Sequence, residues 1–167
     1  MSEPQALEPV LRHLSPEDLD YLTQSMCGTL AEIGANAQDP QFQQLMPTYQ
    51  EVCHAFSLDL LGRKQGIGWV AEVAGTPVGL IFGEPQPAWM PLSQVKKLGY
   101  IETIWVEPLY RQRGLARRLV EALEVAFKEA GVERVELNFH LNIPGAAAFW
   151  EKIGYRPGPQ RNQKSLL

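Results

Sequence analysis

The chain has 167 residues and a formal net charge of −4, with 45% hydrophobic and 20% charged residues, the balance of one ordinary globular domain spanning 1–167. Fifteen cations set against nineteen acids cannot assemble the broad basic face that general nucleic-acid binding requires, and no apolar run is long enough to span a membrane. The opening Met1-Ser-Glu-Pro-Gln5 lacks the basic and apolar stretches of a secretion signal, so a cytoplasmic location is expected.

In chain order, Ser15-Pro16-Glu17-Asp18 joins a capping residue, a proline at the first helical position and first-turn acids. It predicts a helix with Leu19, Leu22, Met26 and Leu30 turned inward. Asp39-Pro40 opens a second predicted helix, with Phe42, Leu45, Tyr49, Val52, Phe56 and Leu60 along one side and an end near Gly62. Cys27 and Cys53 have no metal-ligand spacing and are expected as buried thiols in a reducing compartment. Apolar runs at 67–73 and 77–82 flank Ala74-Gly75-Thr76 and read as a hairpin. Residues 84–97 are punctuated by proline, and a loop this long inside a compact domain is often functional. Its Trp89 and Met90, with Tyr49, are read as packing residues or as the lining of an acceptor pocket. A central strand follows at 98–106, then a helix at 114–130 stopped by Gly131, a strand at 132–141, a short helix at 144–152 and a final hairpin from Tyr155.

The junction between the central strand and the following helix carries the most chemistry. Tyr100-Ile-Glu-Thr-Ile-Trp-Val106 runs through Glu107-Pro108-Leu-Tyr110 into Arg111-Gln-Arg-Gly114-Leu-Ala116-Arg-Arg-Leu119. At a helix start the first amides have no partner within the helix, and the macrodipole adds about half a positive charge, so an anion is accommodated there. Arg111, Arg113, Arg117 and Arg118 add positive charge with no acid among them. No Gly-Lys-Ser/Thr follows, which excludes a Walker loop, and one glycine stands where a dinucleotide fingerprint needs three.

Arg111-Gln-Arg-Gly114-Leu-Ala116, preceded by Val106-Glu-Pro108-Leu-Tyr110, resembles the acetyl-CoA-binding motif of the GNAT-type N-acetyltransferases. A second stretch, Asn142-Ile-Pro-Gly-Ala-Ala-Ala-Phe149-Trp150-Glu-Lys152-Ile153-Gly154-Tyr155, is similar to the same family's later motif. It is one residue longer between Asn142 and the last aromatic, and Trp150 stands where a tyrosine general acid is often found. An indole N–H cannot supply that proton. The resemblance covers about 66–158. It implies an α/β fold with a mixed, mostly antiparallel sheet of about six or seven strands flanked by about four helices. It further implies acetyl-CoA as co-substrate, an amine acceptor, no resident metal and a possible homodimer.

The resemblance also assigns residues. A bulge near Ile104 would splay the central strand from its neighbour, so that the main chain of Ile104, Trp105 and Val106 binds the pantetheine arm and an amide near Ile104 faces the developing oxyanion. The main-chain amides of Arg111, Gln112, Arg113, Gly114, Leu115, Ala116 and Arg117 would hold the pyrophosphate, with Arg118 equally readable as a solvated helix residue. Asn142 would touch the pantetheine arm or cap the following helix, and Phe149 and Trp150 count among the cofactor-binding positions. Glu102 is the only acid between Gly99 and Val106. A charge there is unexpected in a covered strand, so it is read as the general base, with an ion pair or an exposed strand end as the alternative. His140 is the alternative base.

The expected reaction is direct transfer of acetyl from acetyl-CoA to a primary amine of a small molecule or peptide. The acidic balance is compatible with a polyamine, an aminoglycoside or a lysine side chain as acceptor. A non-catalytic acyl-CoA sensor and a transferase of longer acyl groups are the competing readings.

Overall fold

The computed structural model describes residues 8–36 and 40–158. One sheet runs in the order β1 (Val10–His13), β2 (Ile67–Val73), β3 (Thr76–Pro87), β4 (Lys97–Val106), β5 (Arg134–Leu137). The first three pairings are antiparallel, while β4 and β5 are parallel because the helix α4 (Leu115–Glu129) carries the chain across between them. The remaining helices are α1 (Leu19–Asn36), α2 (Pro40–Gln43), α3 (Tyr49–Gly62) and α5 (Ala146–Lys152), with 3-10 turns at Pro16–Asp18 and Pro108–Tyr110. No helix among the described residues is long and apolar enough to cross a membrane.

The mixed, mostly antiparallel sheet agrees with expectation, but the described residues hold five strands rather than six or seven, and five α-helices rather than four. β1 has only four residues, too few to show a period of two, and sequence reading passed over it. The long helix expected from Pro40 to Gly62 breaks into α2 and α3. Pro47 has no amide to donate and disfavours a helical Met46, so the Tyr49 amide closes a turn on the Met46 carbonyl at 3.0 Å instead. The 84–97 loop shrinks because β3 runs on to Pro87, and the Ala88 amide bonds the Lys96 carbonyl across the gap at 3.0 Å. β5 ends at Leu137, not Leu141, and residues 155–158 form no strand; the rest of the expected final hairpin lies outside the described residues.

Alternation along the strands divides the core between the two faces of the sheet. Ala71, Val78, Ile81 and Ile101 pack under Leu119, Leu123 and Phe127 of α4, while Val70, Leu80 and Phe82 pack under Leu22 of α1 and Leu60 of α3. Phe127 lies flat against the strands because Gly83 and Gly99 leave room for it. A Cβ at Gly99 would sit 2.4 Å from the Phe127 ring, and one at Gly83 would sit 2.9 Å from it. The added atom cannot be accommodated without moving a fully buried ring, so Gly99→Ala should lower stability by about 1–3 kcal/mol, measured by thermal or urea unfolding.

The edge strand is tied down by charge. Arg12 of β1 bonds both oxygens of Asp18 at 2.7 and 2.8 Å and reaches Glu72 of β2, while the Ser15 amide donates to Asp18 at 2.8 Å. Burial pushes the Asp18 carboxyl up, but the bonds from Arg12 and Ser15 outweigh it and hold the group below its ordinary value of 3.8. A depressed native value makes this stabilisation complete above the unfolded value and loses it as pH falls through the native one. Asp18→Asn should therefore cost about 1–3 kcal/mol at neutral pH, and the gap to wild type should close only below pH 3.8 in a series of unfolding curves.

Candidate active site

β4 is paired on both sides only as far as Ile101, where its register with β5 ends at Leu137, whereas its pairing with β3 continues to Val106. Beyond Ile101 one edge of β4 is open. The Glu107 amide donates to Val78 of β3 at 2.9 Å, and alternation then turns the backbone of Trp105 and Thr103 toward β3 and that of Ile104 and Val106 toward the open edge. The Val106 carbonyl is taken there by Arg111 Nε at 2.7 Å. The side chains point elsewhere: Ile104 packs into the α4-side core, Val106 is buried, and Trp105 packs beside α1 and α3 with its Nε1 on Glu107 at 2.9 Å.

The expected bulge is present, but its place is corrected from Ile104 to Glu102. Phe82 opposes Thr103 and Gly83 opposes Ile101, which leaves Glu102 as the extra residue on β4. An extra residue puts two successive side chains on the same face. Glu102 and Thr103 accordingly both line a cleft of about 550 Å³ with Met26 and Leu30 of α1 and Tyr49, Val52 and Phe56 of α3. Tyr49 thus lines this cleft, whereas Trp89 and Met90 are exposed on the 88–96 connection and take no part in its lining.

Glu102 is 17% exposed, and its Oε1 accepts from Arg63 Nη1 at 2.9 Å. The same nitrogen reaches Glu84 at 2.6 Å, and Arg63 Nη2 reaches Asp59 at 2.8 Å. Burial opposes the guanidinium charge, but the carboxylates prevail and hold Arg63 above its ordinary value. The ion-pair role considered for Glu102 is therefore real. Its Oε2 accepts no hydrogen bond among the described residues. Sequence spacing gave no sign of Arg63, Asp59 or Glu84, because the end of α3 and the middle of β3 meet β4 only in the folded chain. No group of three or more metal-binding side chains is placed to hold an ion among the described residues.

At the far end of the open edge, Gln112 and Gly114 both take left-handed conformations, with φ of 59° and 81°, and Gly114 caps α4. The first amide used by that helix is Arg118, on the Gly114 carbonyl at 3.1 Å; the amides of Gln112, Arg113, Gly114, Leu115, Ala116 and Arg117 find no acceptor among the described residues. Of the amides expected there, that of Arg111 is corrected: it is taken by the Pro108 carbonyl at 3.3 Å, and the free row begins at Gln112. The arginine side chains are mostly committed: Arg111 lies over Trp105 at 4.8 Å and pairs with Glu32, Arg117 bonds Glu121 at 2.7 Å, and Arg118 bonds the Pro9 carbonyl at 2.9 Å. Leu115 is buried, so only its main chain faces outward.

The second motif is placed differently from expectation. Trp150 is 5% exposed in the α4-side core and meets Phe149 and Tyr155 edge-on, while Phe149 is half-buried against that core. Gly145 caps α5, so Asn142 is not the helix cap; it is exposed, and its amide lies 3.4 Å from His140 Nδ1. His140 itself lies edge-on to Phe42 and is not part of the cleft lining.

The model of the Acetyltransferase (GNAT) family matches residues 32–155. The chain belongs to the GNAT family. It is 27% identical to the uncharacterised N-acetyltransferase YjgM of Escherichia coli over 154 residues, 88% of this chain and 81% of the relative. It is 31% identical to an uncharacterised N-acetyltransferase of Methanocaldococcus jannaschii over 97 residues, 58% of this chain but only 42% of the relative. A putative acetyltransferase of Bacillus subtilis matches at 40% identity over 58 residues, 35% of this chain and 37% of that relative. Among solved structures, the aminoglycoside N-acetyltransferase AAC(6')-Iy in complex with CoA superposes with a TM-score of 0.75 at 13% identity, covering 98% of each chain. A predicted acetyltransferase of Clostridium acetobutylicum with acetyl-CoA gives 0.73 at 16% identity, covering 95% of this chain and 96% of that one. At such identities the likeness is one of GNAT fold. A Cβ at position 114 would meet no neighbour but would have to sit at positive φ, so Gly114→Ala should cost about 1–2 kcal/mol and weaken CoA binding, read by unfolding and by calorimetry.

Proposed function

We propose that the chain is an acetyl-CoA-dependent N-acetyltransferase that passes the acetyl group directly to a primary amine. One observation carries this: the open edge of β4 joins a row of unpartnered amides at Gly114 to a carboxylate at the cleft, Glu102. The free amides of 112–117 fit a diphosphate, since each is an unmet donor at the positive end of α4. Acetyl-CoA, when bound, supplies the acyl group as an activated thioester. The amides of Ile104 and Val106, turned to the same edge, would orient its pantetheine arm.

The chain's own chemistry centres on a proton. An alkylamine with an ordinary pKa near 10.4 costs about 4–5 kcal/mol to hold neutral at pH 7. Glu102 lines the cleft with Oε1 fixed by Arg63 and no bond to Oε2 among the described residues, so one oxygen is left to accept that proton, directly or through water. No side chain is assigned as general acid, since Trp150 lies in the core.

The Arg63 ion pair is the observation that favours a second reading, an acyl-CoA-binding sensor in which Glu102 is structural. Thiol release from acetyl-CoA with an amine panel separates the two. Transfer predicts that Glu102→Gln lowers kcat by about 10²–10⁴-fold with little change in CoA affinity. CoA binding with no release on any amine, and no effect of Glu102→Gln, would establish the sensor.

A further inference from the structure

We infer that the acceptor is a primary amine carried on a mostly apolar body, an aryl- or branched-alkylamine, and not a polyamine or an aminoglycoside. This rests on the transferase reading for its reaction, but its argument comes from the cleft. Its volume, about 550 Å³, lies within the range of roughly 300–1,000 Å³ usual for small-molecule sites. Among its lining residues Glu102 alone is charged. The walls are Met26, Leu30, Leu45, Met46, Val52 and Phe56. Three of these keep large exposures, 58% at Met46, 53% at Val52 and 40% at Phe56, so apolar surface stays open to water around the mouth.

The cleft is therefore apolar over much of its lining, with a single charge. Three carboxylates, Asp59, Glu84 and Glu102, surround the single guanidinium of Arg63, and the surplus is negative. Of these three only Glu102 lines the cleft, so a single carboxylate is there to meet one ammonium. A polyamine or aminoglycoside would have to place its further ammonium groups where no second carboxylate lines the cleft, with only the neutral Thr29, Gln41, Gln44, Tyr49 and Thr103 beside the Met, Leu, Val and Phe side chains to offset their lost water. An aryl or branched alkyl body instead covers those same side chains and removes them from water.

The test uses the full chain with acetyl-CoA and follows thiol release with 2-phenylethylamine, 3-methylbutylamine, spermidine, kanamycin and a tripeptide with an apolar first residue. The apolar amines should exceed spermidine and kanamycin in kcat/KM by at least about tenfold, the discrimination one buried apolar group provides. Val52→Asp should shrink that ratio by raising KM for the apolar amines more than it changes kcat. In parallel, 2-phenylethylamine should raise the melting temperature in the presence of CoA, and Val52→Asp should abolish the shift. Preference for spermidine, kanamycin or the tripeptide overturns the inference while leaving transferase activity standing. A melting shift that Val52→Asp removes, without turnover of any amine, keeps the acceptor class and removes the transfer reading. Absence of both turnover and a melting shift with 2-phenylethylamine sinks the inference outright.

Discussion

A strand inside a sheet that loses a neighbour part-way along must leave its main-chain groups to something else, since buried amides and carbonyls do not go unpaired. β4 is in that position after Ile101, and the surrounding structure is arranged around the gap. Arg111 folds back to bond the Val106 carbonyl, β3 holds the opposite edge in register, and the turn that follows delivers the start of α4 to the far end of the opening. The parallel partner β5 leaves because it is only four residues long and the chain then turns through 138–145 into α5.

Two arginines link that opening to the helices on the other face. Arg111 reaches Glu32 of α1 and covers Trp105, whose indole shares Glu107 with Tyr21 of the same helix. Arg63, at the end of α3, joins Asp59 of its own helix to Glu84 of β3 and Glu102 of β4. Helices α1 and α3, which line the cleft, are thus anchored to both ends of the open edge of β4. The bulge matters for the same reason: without the extra residue in β4, strict alternation would turn either Glu102 or Thr103 to the α4-side core.

The parts of this arrangement that were legible in the sequence are those set by neighbours along the chain. Val106-Glu-Pro108-Leu-Tyr110 and Gly114 announce a strand, a turn and a helix start through local backbone preference, and Glu102 stands out as one acid in an apolar run. What was illegible depends on long-range meetings. Nothing near Arg63 in sequence indicates that it will face Glu102, because 39 positions separate them. The register shift at Glu102 depends on how β3 aligns, and the burial of Trp150 depends on Tyr155 and α4 closing over it. β1 was illegible because four residues are too few to show an alternating pattern, and its pairing with β2 and the Arg12 network join positions far apart in the chain.

The fit of Phe127 against two bare backbone positions on adjacent strands has a historical side. Gly83 and Gly99 lie far apart in sequence, yet one aromatic ring occupies the space that either side chain would need. In a lineage of such chains these sites cannot drift separately: a side chain at position 99 is tolerable only after position 127 has shrunk, while position 83 is held bare by the Tyr100 carbonyl as well, 2.5 Å from where a Cβ would sit. Descendants should carry these three residues, or their substitutes, as an inherited set.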